Sequence, residues 1–269
     1  MTEGPVALAF ALTIAAGLAT GVGSAIAFFA RRTNQRLLCV SLGFSAGVMI
    51  YVSLLELLPA GREALRAAIG GAAGGWVALA AFFGGMGVVA GIDRLVPKYE
   101  NPHELHRLEE MTDQARGQDR RLMRMGILSA LAIGIHNLPE GMATFTASLR
   151  DPGLGISIAA AIAIHNIPEG IAVSVPIFYA TGDRRTAFTW SFLSGLAEPA
   201  GAAIGYLVLA PFLDDTVFGV LFAAVAGIMV FISFDELLPA AEEYGEHHVA
   251  LYGLLVGMAV MAASLVLFM

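Results

Sequence analysis

His136-Asn137-Leu138-Pro139-Glu140-Gly141 is followed by a near copy, His165-Asn166-Ile167-Pro168-Glu169-Gly170. Each hexapeptide lies within a run of roughly twenty-five mostly apolar residues, long enough to cross a bilayer. A histidine, an amide, a carboxylate and a helix-breaking proline thus stand where lipid penalises all of them. Ionisable groups at that depth cost several kcal/mol unless they find partners or water, so they mark a functional site by default. Two matching copies make the case twice.

The surroundings agree with a membrane setting. The chain has 269 residues, 57% of them hydrophobic and 14% charged, against about a quarter charged in a soluble domain. The bare runs between charges do not alternate, which excludes barrel strands, and only helices otherwise satisfy their backbone in lipid. The expected fold is therefore an all-α integral membrane protein. Met1 to Pro5 carry no basic residue, so the first run lacks a signal-peptide n-region and is expected to be a retained span. Cys39 is the single cysteine, which leaves no internal disulfide and no thiolate cluster; it reads as a small core residue. No basic patch suggests nucleic acid, and the net charge of −7 says little about partners.

Eight spans can be drawn, near residues 6–30, 37–59, 74–96, 124–149, 154–180, 186–211, 217–240 and 248–269. Together they form one transmembrane domain over 1–269, with one long polar loop at 97–123. The Gly-rich stretch Gly70 to Gly75 has no P-loop spacing and reads as a turn. Of the 15 basic residues, 12 fall in or beside the one–two, three–four and five–six connections. Lys and Arg collect on the cytoplasmic side, so the 97–123 loop is expected inside and both termini outside. Residues 46–60 (AGVMIYVSLLELLPA) and 226–240 (AGIMVFISFDELLPA) are identical at nine of fifteen positions. A weaker match joins 17–28 to 195–206. Span two thus resembles span seven and span one resembles span six, in opposite orientations. The expected architecture is an inverted repeat of spans 1–3 and 6–8 around central spans 4–5, an arrangement used by secondary transporters.

In a helix, His136 and Glu140 share a face, with Asn137 beside them, and so do His165, Asn166 and Glu169. If spans four and five pack together, six polar side chains converge at one depth. Imidazole, carboxylate and amide oxygen together suit borderline divalent cations such as Zn²⁺, Fe²⁺, Co²⁺ and Mn²⁺. Pro139 and Pro168 cannot bond back to the carbonyls of Ile135 and Ile164, so both helices are expected to kink there. Glu198, beside Pro199 in span six, is a further candidate carboxylate ligand, and Met49 in span two could line the same cavity. Glu56 near the outer end of span two, and Asp235 and Glu236 near the inner end of span seven, look like carboxylates along the path in and out. Each has a structural rival. A lone intramembrane histidine often bonds helix to helix, but two copies with Glu and Pro favour an ion. Glu198 could be a packing partner, and Met is a common core filler. His103, His106, His247 and His248 read as solvated loop side chains.

On the paired HNLPEG and HNIPEG, with GLAEP at 195–199 and DELLP at 235–239, the chain resembles the ZIP family of divalent-metal permeases, and most of all its bacterial zinc-transporter branch. The resemblance covers nearly the whole length. It implies a binuclear-type centre between spans four and five, with His136, Glu140, His165 and Glu169 binding Zn²⁺. Asn137, Glu140, Asn166, Glu169 and Glu198 would form a neighbouring site accepting Fe²⁺ and similar ions, with Glu140 and Glu169 shared. Met49 matches a position that contacts metal in some members. It further implies uptake across a bacterial inner membrane, with the termini periplasmic and the metal as cargo rather than cofactor. Some members carry a His-rich three–four loop; this one has only His103 and His106.

The resulting expectation is a transporter, not an enzyme, taking up chiefly zinc, with iron, manganese, cobalt and cadmium as further candidates. Spans one, four, five and six would move against two, three, seven and eight. Gly17, Ala19, Gly21, Gly23 and Ala25, with Ala197, Gly201, Ala203 and Gly205, would smooth the sliding surface. Affinity should fall with pH, because ligation needs neutral His and ionised Glu. The alternatives are an intramembrane metallo-hydrolase, for which no HExxH is present, and a metal exporter using the same site. The lipid-facing surface leaves a homodimer open.

Overall fold

The computed structural model describes residues 3–29, 35–95, 118–244 and 247–268. Most of the 97–123 loop, with His103 and His106, lies outside the described residues, as do Arg31 and Arg32. The described residues are helical nearly throughout. The α-helices are α1 (Glu3–Phe29), α2 (Gln35–Val52), α3 (Leu58–Ile69), α4 (Gly71–Leu95), α5 (Gln118–Arg150), α6 (Pro152–Thr181), α7 (Arg184–Gly195), α8 (Ala197–Ile204), α9 (Asp215–Ile232), α10 (Leu238–Tyr244) and α11 (His247–Phe268). Seven helical segments among the described residues are long and apolar enough to cross a membrane. α5 stands outside that set; it opens with Asp119, Arg120, Arg121 and Arg124 and carries the first polar hexapeptide at its middle. Large apolar side chains face outward, among them Trp76 (71% exposed) and Phe83 (58%) on α4. Lipid accommodates such a surface and water does not. The chain is a multi-pass helical membrane protein.

Three local readings need correction. The second span continues past Pro59 to Ile69. A π-helical turn over Ser53–Leu57 absorbs the proline, with the Leu58 N–H bonding five residues back to the Ser53 carbonyl. Proline takes no donor role, and a wide turn relieves its clash with the preceding turn. The stretch Gly70–Gly75 is not a turn as a whole. Only Gly70 turns, at φ 96°, and α4 begins at Gly71. The sixth span is not one helix: it breaks at Leu196, between α7 and α8. Pro199 explains the break, since it offers no N–H to the carbonyl of Gly195 one turn back. Pro139 and Pro168, by contrast, sit within continuous helices.

A second π-helical turn, Ser233–Leu237, takes in the first two residues of the Glu-Leu-Leu-Pro of the seventh span, with the Leu238 N–H reaching the Ser233 carbonyl. α3 lies against the start of α9. A Cβ at Gly61 would strike the Gly219 carbonyl, and one at Gly219 would strike the Leu65 side chain. The two helices therefore run antiparallel there.

Glycines sort the helices into two groups. In the first, Gly17 and Gly195 close α1 onto α7, Gly23 and Gly170 close α1 onto α6, and Gly141 and Gly201 close α5 onto α8; no Cβ fits at any of them. In the second, Gly43, Gly47, Gly253 and Gly257 close α2 onto α11, and Gly85 and Gly227 close α4 onto α9. Among the described residues no such close approach joins one group to the other. Between them lies ordinary side-chain packing, with Val48 and Met49 in the same apolar cluster as Ile158, Ala161 and Ile162. This overturns the expected place of the small residues of α1 and α8. Gly17, Gly23 and Gly201 do not line a sliding surface; they are locked inside the first group, and Gly205 faces Phe145 and Met142 of α5 in that same group. Backbones that touch at glycine resist relative movement, whereas a surface of apolar side chains can repack.

Candidate metal centre

α5 and α6 form a hairpin joined by the single residue Asp151, which brings the two hexapeptides to the same depth. On α5, His136, Asn137 and Glu140 are buried, as are His165, Asn166 and Glu169 on α6. They form a chain. His136 Nε2 is 3.6 Å from Glu169 Oε1, His165 Nε2 is 4.0 Å from the same oxygen, and His165 Nε2 is 3.4 Å from Glu140 Oε2. Each histidine thus faces the carboxylate of the other helix. His165 Nδ1 meets the Ala161 carbonyl at 3.1 Å. That contact assigns the proton to Nδ1 and leaves the Nε2 lone pair toward the carboxylates, as a ligating imidazole requires.

The two asparagines are oriented by their amide nitrogens. Asn137 Nδ2 donates to the Ser194 carbonyl at 3.3 Å, a group at the end of α7 just before the break. Asn166 Nδ2 donates to the Ala16 carbonyl at 3.0 Å and to Glu198 Oε1. Both Oδ1 atoms then point away from these anchors and have no partner. Glu198, in the first turn of α8, is fully buried, and its Cα would lie 2.7 Å from a Cβ on Gly141. The glycine after Glu140 is what lets Glu198 reach the centre.

Nine buried side-chain nitrogens and oxygens among the described residues lack a hydrogen-bond partner. Seven belong to this group: His136 Nε2, Asn137 Oδ1, Glu140 Oε1, Asn166 Oδ1, both oxygens of Glu169, and Glu198 Oε2. An unmet buried acceptor costs about 1–3 kcal/mol, and more when charged. Together they would rival the whole stability of a domain. All seven can present lone pairs, and a divalent cation satisfies lone pairs at once. The donor set fits such an ion. As the side chains stand, no three of His, Cys, Asp and Glu among the described residues close around a point. The atoms are strung along the interface between α5, α6 and α8.

The remaining sequence candidates divide. Met49 is fully buried and packs in the largest apolar cluster. It lies one turn after Ser45, whose hydroxyl donates to the His165 carbonyl at 3.3 Å, so its helix does border the centre. Glu56 lies in the first π turn and is half-buried; in the second, Asp235 is exposed and Glu236 half-buried. Glu56 does not join the central chain of contacts, and Glu236 lies within electrostatic reach of His136. His247 pairs instead with Glu242, 2.6 Å away and both exposed. The backbone anchors at Ala16 and Ser194, and the hydroxyl of Ser45, escaped the sequence reading.

Residues 94–265 match the profile of the family described as ZIP zinc transporter. The chain belongs to the ZIP family. Among relatives, it is 63% identical to the zinc transporter ZupT of Nitratidesulfovibrio vulgaris, over 99% of both chains. It is 62% identical to that of Lysinibacillus sphaericus, over 98% of this chain and 99% of the other. Identity to the Clostridium perfringens protein is 56%, over 98% and 96%. ZIP membership makes the chain a transporter and removes the metallo-hydrolase reading.

Proposed function

We infer that this protein carries Zn²⁺ into the cytoplasm through the His-Asn-Glu centre between α5, α6 and α8. The observation that carries the reading is the set of seven unpartnered buried atoms on the paired motifs and Glu198. The zinc transport of relatives at 56–63% identity supports it. His136, Glu140, His165 and Glu169 are the zinc ligands. Asn137, Asn166 and Glu198, with the two shared glutamates, take Fe²⁺, Mn²⁺, Co²⁺ or Cd²⁺. Met49 flanks the centre, Glu56 gathers ions at the outer mouth, and Asp235 and Glu236 receive them at the inner one.

α5 is the fourth span and completes the eight. The bias of basic residues sets both termini outside and the three–four loop inside the inner membrane. The matched π turns running into each Leu-Pro, and the antiparallel contact of α3 with α9, support an inverted repeat. The first glycine-locked group, α1 with α5 to α8, carries the ligands and moves against the second, so the ion faces one side and then the other. In proteoliposomes reporting Zn²⁺ uptake, Glu140→Gln and Glu169→Gln should each abolish transport, and Glu198→Gln should depress Fe²⁺ uptake more than Zn²⁺ uptake. Wild-type zinc flux in both of the first two variants would overturn the central site.

A further inference from the structure

Four charged residues stand at the end of α5 and the start of α9, and two are already committed. Asp151 caps α6, accepting from the N–H groups of Gly153 at 2.8 Å and Leu154 at 3.2 Å. Asp214 caps α9, accepting from the Val217 N–H at 2.8 Å. That leaves Arg150, the last residue of α5, and Asp215, the first of α9. Arg150 Nη1 lies 2.6 Å from Asp215 Oδ1. The guanidinium carbon also sits 4.4 Å from the centroid of the Phe218 ring, and Phe218 is buried and stacked on Phe222. One cation therefore holds both an anion and an aromatic face on the opposite glycine-locked group. α5 belongs to the group that carries the ligands; α9 belongs to the other.

We propose that Arg150, Asp215 and Phe218 form a reversible clasp between the two groups, which shuts the end of the pathway beyond Thr144 and opens in every transport cycle. The proposal rests on the two-group reading above. The clasp is built to be weak. Its charged side chains are 41% and 48% exposed, and an exposed pair is screened and hydrated when it parts. Its place suits a gate: Arg150 lies ten residues beyond Glu140 on one helix, about 15 Å along the axis. Thr144, one turn beyond Glu140, is fully buried.

The test uses the full chain with Cys39→Ser and a reporter thiol introduced by Thr144→Cys, in proteoliposomes. Arg150→Gln and Asp215→Asn should each raise the rate at which an impermeant maleimide labels the reporter about fivefold, the scale of an exposed ion pair reinforced by a cation–π contact. The charge swap R150D/D215R should return it toward the parental rate. Higher ionic strength should speed labelling of the parent and not of Arg150→Gln. Unchanged labelling in the single variants, or a swap no better than either, overturns the clasp. A second arm separates this from the wider reading. In Arg150→Cys/Asp215→Cys without the reporter, a short bis-maleimide bridge should stop zinc uptake. Uptake that continues through the bridge refutes the two-group movement and the clasp with it. A bridge that stops uptake, beside single variants that label like the parent, leaves the movement standing and removes the clasp alone.

Discussion

Adding one methyl group at two different glycines should change stability in opposite directions. Gly141 follows Glu140 on α5, and a Cβ there would sit 2.7 Å from both the Cα and the carbonyl carbon of Glu198. The atoms it meets are backbone, so no rotamer change relieves the clash. Forcing a methyl against unyielding backbone puts the cost at the upper end of the overpacking range, about 2–3 kcal/mol. Alanine's better helix propensity returns about 1 kcal/mol. Gly141→Ala should therefore be destabilising by about 1–2 kcal/mol, and the strain falls on α8, pushing Glu198 off the centre. Gly87, on the outer face of α4, has nothing within 4 Å of its added Cβ. Gly87→Ala keeps only the propensity gain, up to about 1 kcal/mol. Thermal melts in detergent, followed by loss of the monodisperse chromatographic peak, should place the two variants on opposite sides of the parent, several degrees apart. Zinc uptake at matched protein amount should fall in Gly141→Ala and hold in Gly87→Ala. The reasoning fails if both shift Tm the same way, or if Gly141→Ala melts at or above the parent.

Three other outcomes are expected. Asp183 caps α7, accepting from the Thr186 hydroxyl at 2.6 Å and the N–H groups of Arg185 and Thr186; these bonds, that to the Thr186 hydroxyl first, hold its carboxyl below the ordinary 3.8. A depressed folded pKa adds stability that is present above 3.8 and lost as pH falls through the lower folded value. Melts of Asp183→Asn should match the parent at the most acidic pH and lie below it at neutral pH. Pro59→Ala should let the π turn Ser53–Leu57 revert to α-helix, rotating Glu56 away from its present face; uptake should drop at low zinc more than at saturating zinc, and equal losses would deny Glu56 an ion-gathering role. Asn166→Ala removes an unpartnered Oδ1 and the donor to Glu198 together, so it should impair Fe²⁺ transport more than Asn166→Asp, measured as competition against zinc.

The membrane fold and the convergence of the paired hexapeptides were legible because each rests on local chemistry. Apolar runs of span length and an i, i+4 His–Glu pair need no tertiary information. Glu198 was legible too, since a carboxylate beside a proline in an apolar run needs a partner that lipid does not supply. What the sequence withheld lies in how backbones approach. Gly17 and Gly201 look like a smooth surface in one dimension. Only the fold shows that their missing Cβ atoms seat the carbonyls of Gly195 and Leu138 inside one group. Pro59 reads as the end of a span, yet a helix that widens for one turn passes it. The Ala16 and Ser194 carbonyls carry no side-chain signature at all, and their anchoring role follows from which backbone happens to face an amide.

The two wide turns at Ser53–Leu57 and Ser233–Leu237 also bear on ancestry. A helix that gains one surplus residue without shifting everything after it stores that residue as a π turn. Here both copies hold the surplus at the same place, in a turn that takes in the Glu-Leu of the same Glu-Leu-Leu-Pro. Two separate insertions would have had to strike matching positions in both segments. A single insertion, made before the ancestral segment was duplicated, accounts for both. Under the inverted repeat proposed above, the widened turn is older than the two-fold architecture, a fossil of a half-length ancestor.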